Sequence, residues 1–148
     1  MAITQALCTS FKQELLVATH DFTLSTGDAF KLALFRATAS IAGTFGAATT
    51  NYSDMGADEA SGTNYSAGGA ALTNVTPTTS STTALTDFAD LVFSTVTLTA
   101  SGALIYNSGK SNKAVGVFDF GADKSASAGD MTIIFPTADA SNAVIRLT

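Results

Sequence analysis

His20 beside Asp21 is the first pair in this chain whose types suit proton transfer. An imidazole gives or takes a proton near neutral pH, and a neighbouring carboxylate can orient it. A hydrolase would also need a nucleophile in an identifiable setting, and the chain has no Gly-x-Ser-x-Gly turn. A lone histidine just after a helix commonly serves the last helical carbonyls, and that is the role expected of His20. Cys8 is the one thiol; on the apolar side of a short helix it is expected to be a small buried hydrophobe. Asp54, Asp58 and Glu59 lie close together in a Gly-rich stretch and offer oxygen ligands of the kind Ca²⁺ takes, but their spacing is not that of an EF-hand loop. Three carboxylates in a surface loop are usually solvated. With one Cys and one His, a zinc site is not expected.

Asn107-Ser-Gly-Lys-Ser111 has the look of a phosphate loop. That motif needs a glycine at position 104, which is Leu104, and a following helix, where the pattern predicts a strand. A polar hairpin tip is the expectation. Asn51-Tyr-Ser53, Asn64-Tyr-Ser66 and Asn74-Val-Thr76 fit the glycosylation pattern, which means little in so Asn- and Thr-rich a chain. The expected inventory is therefore no catalytic residues, no cofactor and no metal.

The elements that would position such residues read as β-structure. The chain has 148 residues, of which 13% are charged, and a net charge of −5. Its pI is near 4.4 and its mean hydropathy +0.29. That is one domain, 1–148, apolar enough to fold and too acidic to favour a phosphate backbone. No apolar run approaches the roughly 18–20 residues of a membrane span. The opening residues show no basic, then apolar, secretory pattern, and Cys8 has no partner, so synthesis in a reducing cytoplasm is expected.

Residues 1–21 form an N-terminal helical segment. Leu7, Phe11, Leu15 and Ala18 share one face, Lys12, Gln13 and Glu14 the other, and Thr9 or Ser10 is placed to cap. Strands are predicted at 29–36, 95–100 continuing to 106 through a bend at Gly102, 114–120, 131–135 ending at Pro136, and 142–148. The turn composition of 107–112 joins two of them as a hairpin. Weaker strand signals lie at 71–75 and 84–93. Residues 37–70 are poor in large apolar side chains and predict a long polar loop or arm, which in a compact domain should be functional or ordered by a partner. Thr-Asn-Tyr-Ser occurs twice there, at 50–53 and 63–66. Residues 76–83 read as a hairpin tip or linker. The sum is a mainly β protein, an antiparallel β-sandwich or jelly-roll-like domain with a short N-terminal α-helix.

The run Glu59-Ala-Ser-Gly-Thr-Asn-Tyr-Ser-Ala-Gly-Gly69 resembles the Glu-x-Ser-Gly-x-x-Tyr-x-x-Gly-Gly segment of small structural proteins of tailed bacteriophages and prophages. The opening 2–16, His20-Asp-Phe22, 30–34, Gly102-Ala-Leu-Ile-Tyr-Asn107, Val117-Phe-Asp-Phe-Gly121 and Phe135-Pro-Thr-Ala-Asp139 are similar too. The resemblance implies a virion component, not an enzyme, made in the host bacterial cytoplasm. It does not fix which one: the first expectation, from an N-terminal segment and a long polar stretch suited to drape across a partner, is a capsid decoration or cement protein touching the major capsid protein. The alternative is a tail, collar or fibre component, with Tyr52 and Tyr65 as aromatic contacts to a receptor. Few charges guard the strand edges, so a homo-oligomer is expected. Neither nucleic acid nor membrane is an expected partner.

Overall fold

The computed structural model describes residues 3–36 and 45–148; positions 37–44 of the expected arm lie outside them. In chain order the elements are β1 (Ala6–Leu7), α1 (Thr9–Leu16), β2 (Phe30–Phe35), a 3₁₀ segment (Tyr52–Asp58), β3 (Ala70–Ala71), β4 (Asn74–Ser80), β5 (Thr83–Phe88), β6 (Leu91–Asn107), β7 (Lys113–Ile133) and β8 (Ile145–Leu147). They build two antiparallel sheets, one ordered β1-β7-β6-β2-β3 and the other β4-β5-β8. The mainly β, antiparallel, sandwich-like architecture with one short helix is as the residue pattern predicts.

Phenylalanines join the sheets. Phe22 stacks on Phe30 at 4.4 Å, and Phe88 of the small sheet meets Phe30 at 5.7 Å and Phe22 at 6.1 Å. β2 is buried on both faces, with Leu32, Ala33, Leu34 and Phe35 all at 1% exposure or less. Its sequence is accordingly a continuous apolar run, without strict alternation.

One hairpin dominates the large sheet. β6 would span about 55 Å if straight, but it pairs with β7 through four irregularities, one of them at the expected bend between Ala100 and Gly102. Each bulge sharpens the twist. Thr95 and Ala128 take left-handed φ of 53° and 49° at a corner. As a result Phe120 and Ile133, far apart along β7, line the same groove. The strands expected at 114–120 and 131–135 are thus two ends of a single β7, which stops at Ile133, before Pro136. Residues 76–83 are mostly strand; only Ser81 and Thr82 turn between β4 and β5.

The helix departs from expectation at both ends. Its N-cap position is Cys8, with no side-chain cap, so neither Thr9 nor Ser10 caps it. It stops at Leu16 and does not continue to His20. There the Ala18 amide donates to Leu15 O (3.1 Å) and the Thr19 amide to Glu14 O (2.9 Å), with Ala18 at φ 56°. This is a Schellman termination with alanine in the place glycine prefers. Ala18→Gly is therefore expected to stabilise the protein by about 1 kcal/mol, by relieving the left-handed strain, read as a raised urea midpoint. Glu14, expected outside, is buried at 7% exposure, whereas Ala18 is exposed. The inner face of the helix meets a polar network as well as an apolar core.

Candidate functional site

Glu14, His20, Asp28 and Asn107 come from four separate parts of the chain and meet beside the Phe11–Phe22–Phe30 cluster. Asn107 fixes the proton positions. Its Oδ1 accepts from the Gly109 amide (3.0 Å), so its Nδ2 donates to Asp28 Oδ2 and to His20 Nδ1, both at 2.9 Å. His20 Nδ1 is then an acceptor, and the imidazole donates from Nε2 to Glu14 Oε2 at 2.8 Å. Glu14 Oε1 accepts from Lys113 Nζ at 2.6 Å, and Lys110 Nζ lies 3.5 Å from Asp28 Oδ1. Asp28 Oδ2 also takes the Asp21 amide. The His20 side chain has no exposed surface, and the Phe11 ring lies 5.0 Å from it.

His20 therefore does not serve the helix carbonyls as expected, nor does it pair with Asp21. Asp21 turns away to accept from the Thr23 amide (2.9 Å) and hydroxyl (2.6 Å). Both ring nitrogens are engaged, so neither is free to take a substrate's proton. What the network does is tie the helix, the segment after it, the start of β2 and the β6–β7 turn into one unit. The hairpin tip at 107–112 supplies two of its side chains, Asn107 and Lys110, and Lys113 follows at the start of β7.

Burial alone would raise the Glu14 carboxyl, but hydrogen bonds from Lys113 and His20 outweigh it and hold the group below its ordinary 4.5. Burial likewise opposes, and the Asp21 amide, Asn107 and Lys110 outweigh it, in lowering Asp28 below 3.8. Groups lowered in the folded state stabilise it fully above their unfolded values. They lose that contribution as pH falls through the folded ones. Glu14→Gln is thus expected to lower stability by about 1–2 kcal/mol at neutral pH. Its urea midpoint should converge with that of the parent as pH drops below 4.5. Asp87, which burial raises, acts with the opposite sign in both proteins and cancels from the comparison.

The second cluster centres on Glu59. Tyr52 donates its hydroxyl to Glu59 Oε2 (2.5 Å) and Tyr65 to Oε1 (3.1 Å), and the Gly68 amide donates to Oε1 (2.6 Å). The two Thr-Asn-Tyr-Ser copies thus deliver their tyrosines to one carboxylate. Tyr52 stacks on Tyr106 at 4.8 Å, and Tyr106 donates to Gly68 O at 2.7 Å. Burial, then the Glu59 hydrogen bond, pushes the Tyr52 hydroxyl up to about 12. Residues 58–72 run along the outer edge of β2: the Arg36 amide reaches Asp58 O, the Ala60 amide Leu34 O, and the Leu72 amide Phe30 O. The Tyr65 hydroxyl accepts from the Leu34 amide at 2.9 Å, where no strand continues the ladder. The Glu-x-Ser-Gly-x-x-Tyr-x-x-Gly-Gly run is therefore an edge cover. Residues 45–70 thus lie as a polar loop packed on the sheet, and the Tyr52 and Tyr65 hydroxyls are engaged within the chain by Glu59.

The other acidic residues of that stretch do not converge. Asp54 Oδ2 accepts from the Thr50 and Asn51 amides, while Asp58 is buried at 2% exposure. Among the described residues no group of three His, Cys, Asp or Glu is placed to hold a metal ion. Cys8 is fully buried, and burial, with the Asp54 and Glu14 charges adding, pushes its thiol up to about 11. That is the small inert hydrophobe expected of it.

Surface features remain. A groove of about 460 Å³ runs between the end of α1 and the small sheet, lined by Leu15, Ala18, Phe22, Pro77, Leu85, Ile145 and Leu147, among others. Next to Leu15 stand Leu16 and Val17, 88% and 62% exposed, and Leu147 is 57% exposed. β8 borders the groove and forms one edge of its sheet. A termination without glycine gives little sign in the sequence that the helix would end so as to leave Leu16 and Val17 outside. Among the described residues no helix is long and apolar enough to cross a membrane. No protein-family model, curated protein or solved structure matches this chain.

Proposed function

We propose that this chain is a virion structural protein of a tailed bacteriophage or prophage, and not an enzyme. In the first place it is a decoration or cement protein of the head, made in the host cytoplasm and carried on the particle. The observation that carries the reading is a division of labour among side chains. The groups able to do chemistry, His20, Glu14, Glu59 and Cys8, are turned inward, whereas Leu16, Val17 and Leu147 are left in water, the last of them lining an apolar groove. A chain built this way works through contact area. Clamped across neighbouring capsid subunits and its own copies, it would make shell expansion break many contacts at once.

The exposed Thr76–Ser80 side of β4 supports the second reading, a tail, collar or fibre component presenting that hairpin to a host surface. Stoichiometry on purified particles separates the two. Symmetry multiplies a shell site to on the order of hundreds of copies, against about a dozen on a tail. Absence of the protein from purified particles would sink both.

A further inference from the structure

We infer that the groove between α1 and β8 is a docking site for an extended apolar segment of a different protein, one flanked by lysine or arginine. Three observations converge. The walls are apolar, and Leu147, one of them, is more than half exposed. Among the described residues β8 has β5 on one side and no strand on the other, so its outer backbone groups can pair with an incoming strand. Side chains of that strand at every second position would then enter the groove.

Charge decides between occupants. Asp21 is the single charged side chain of the lining apart from the buried His20. Its Oδ1 is held by Thr23, and among the described residues its Oδ2 accepts no hydrogen bond. Lys110, the nearest cation acting on it, lies against Asp28. The groove thus offers a carboxylate and no cation. Pairing β8 with β8 of another copy about its middle residue would oppose Arg146 to Arg146. A strand whose cations flank an apolar centre keeps them away from Arg146 and can bring one to Asp21.

This inference names the partner chemistry of the contact reading above and rests on it only for the partner being a virion protein. The probes are two blocked peptides, acetyl-Lys-Leu-Thr-Val-Thr-Lys-amide and its counterpart with glutamate for both lysines. Titrated at low salt, the lysine peptide is expected to saturate below about 1 mM and to bind about fivefold tighter than the glutamate peptide. Asp21→Asn should erase the difference, and Leu147→Asp should remove binding, each with an unchanged urea midpoint since these side chains are exposed. Equal binding of the two peptides, or none, overturns the inference. So does a dimer in sedimentation that Leu147→Asp dissociates, which would make a second copy the occupant. Particle stoichiometry tests the virion reading separately, so either can fail alone.

Discussion

Gly69→Ala is expected to destabilise the protein by more than about 3 kcal/mol, enough to leave little folded chain. Gly69 adopts φ +70°, and a Cβ added there would lie 1.8 Å from Leu32 O and 2.7 Å from Ala33 Cα. Those are backbone atoms of β2, whose two faces are buried and whose other edge is bonded to β6. They cannot retreat without breaking the core. Moving the loop instead would undo the Ala70–Leu32 pairing and the Gly68–Glu59 hydrogen bond. Gly121 supplies the internal comparison: it has φ +73°, and an added Cβ would meet nothing within 4 Å. Gly121→Ala should therefore show only the left-handed strain, about 1–2 kcal/mol. Urea midpoints of the two variants separate strain from collision; equal losses would show that the close approach to β2 does not matter.

The parts legible in the sequence are those in which cause and effect are neighbours along the chain. Alternation from Thr95 to Ala100, the turn at 107–112 and the bend at Gly102 each depend on a few consecutive residues, and each stands where the pattern puts it. The middle of β7 was not legible, because Ala122 to Asp130 are small and polar and become strand only through pairing with β6. The candidate site was hidden by distance. Asn107 is 87 residues from His20, and Lys113 is 99 from Glu14, so no local spacing could announce the network. Helical periodicity even placed Glu14 outside, since it assumes that what a helix buries is apolar. The doubled Thr-Asn-Tyr-Ser was visible, but its meaning lay in Glu59, which the sequence offered only as a possible metal ligand.

Glu59→Ala is expected to cost about 3 kcal/mol, because three donors lose one acceptor together. Two of them, the Tyr52 and Tyr65 hydroxyls, are held by ring packing against Tyr106 and Phe93 and cannot swing freely to water. The third, the Gly68 amide, belongs to a residue that is buried. The tyrosines should not behave alike. Tyr52→Phe removes one donor and leaves Glu59 its other two, so about 1 kcal/mol is expected. Tyr65→Phe also removes the acceptor of the Leu34 amide, which sits in the most buried strand of the protein and has no ladder partner there. An orphaned buried amide adds its own desolvation cost, so the loss should be about 2 kcal/mol. If the edge cover works as a unit, Glu59→Ala and Tyr65→Phe combined should lose clearly less than the sum of their separate losses. Strict additivity in such a double-mutant cycle would mean that Glu59 and Tyr65 merely touch, and that the edge of β2 is closed by Ala60 and Ala70 without them.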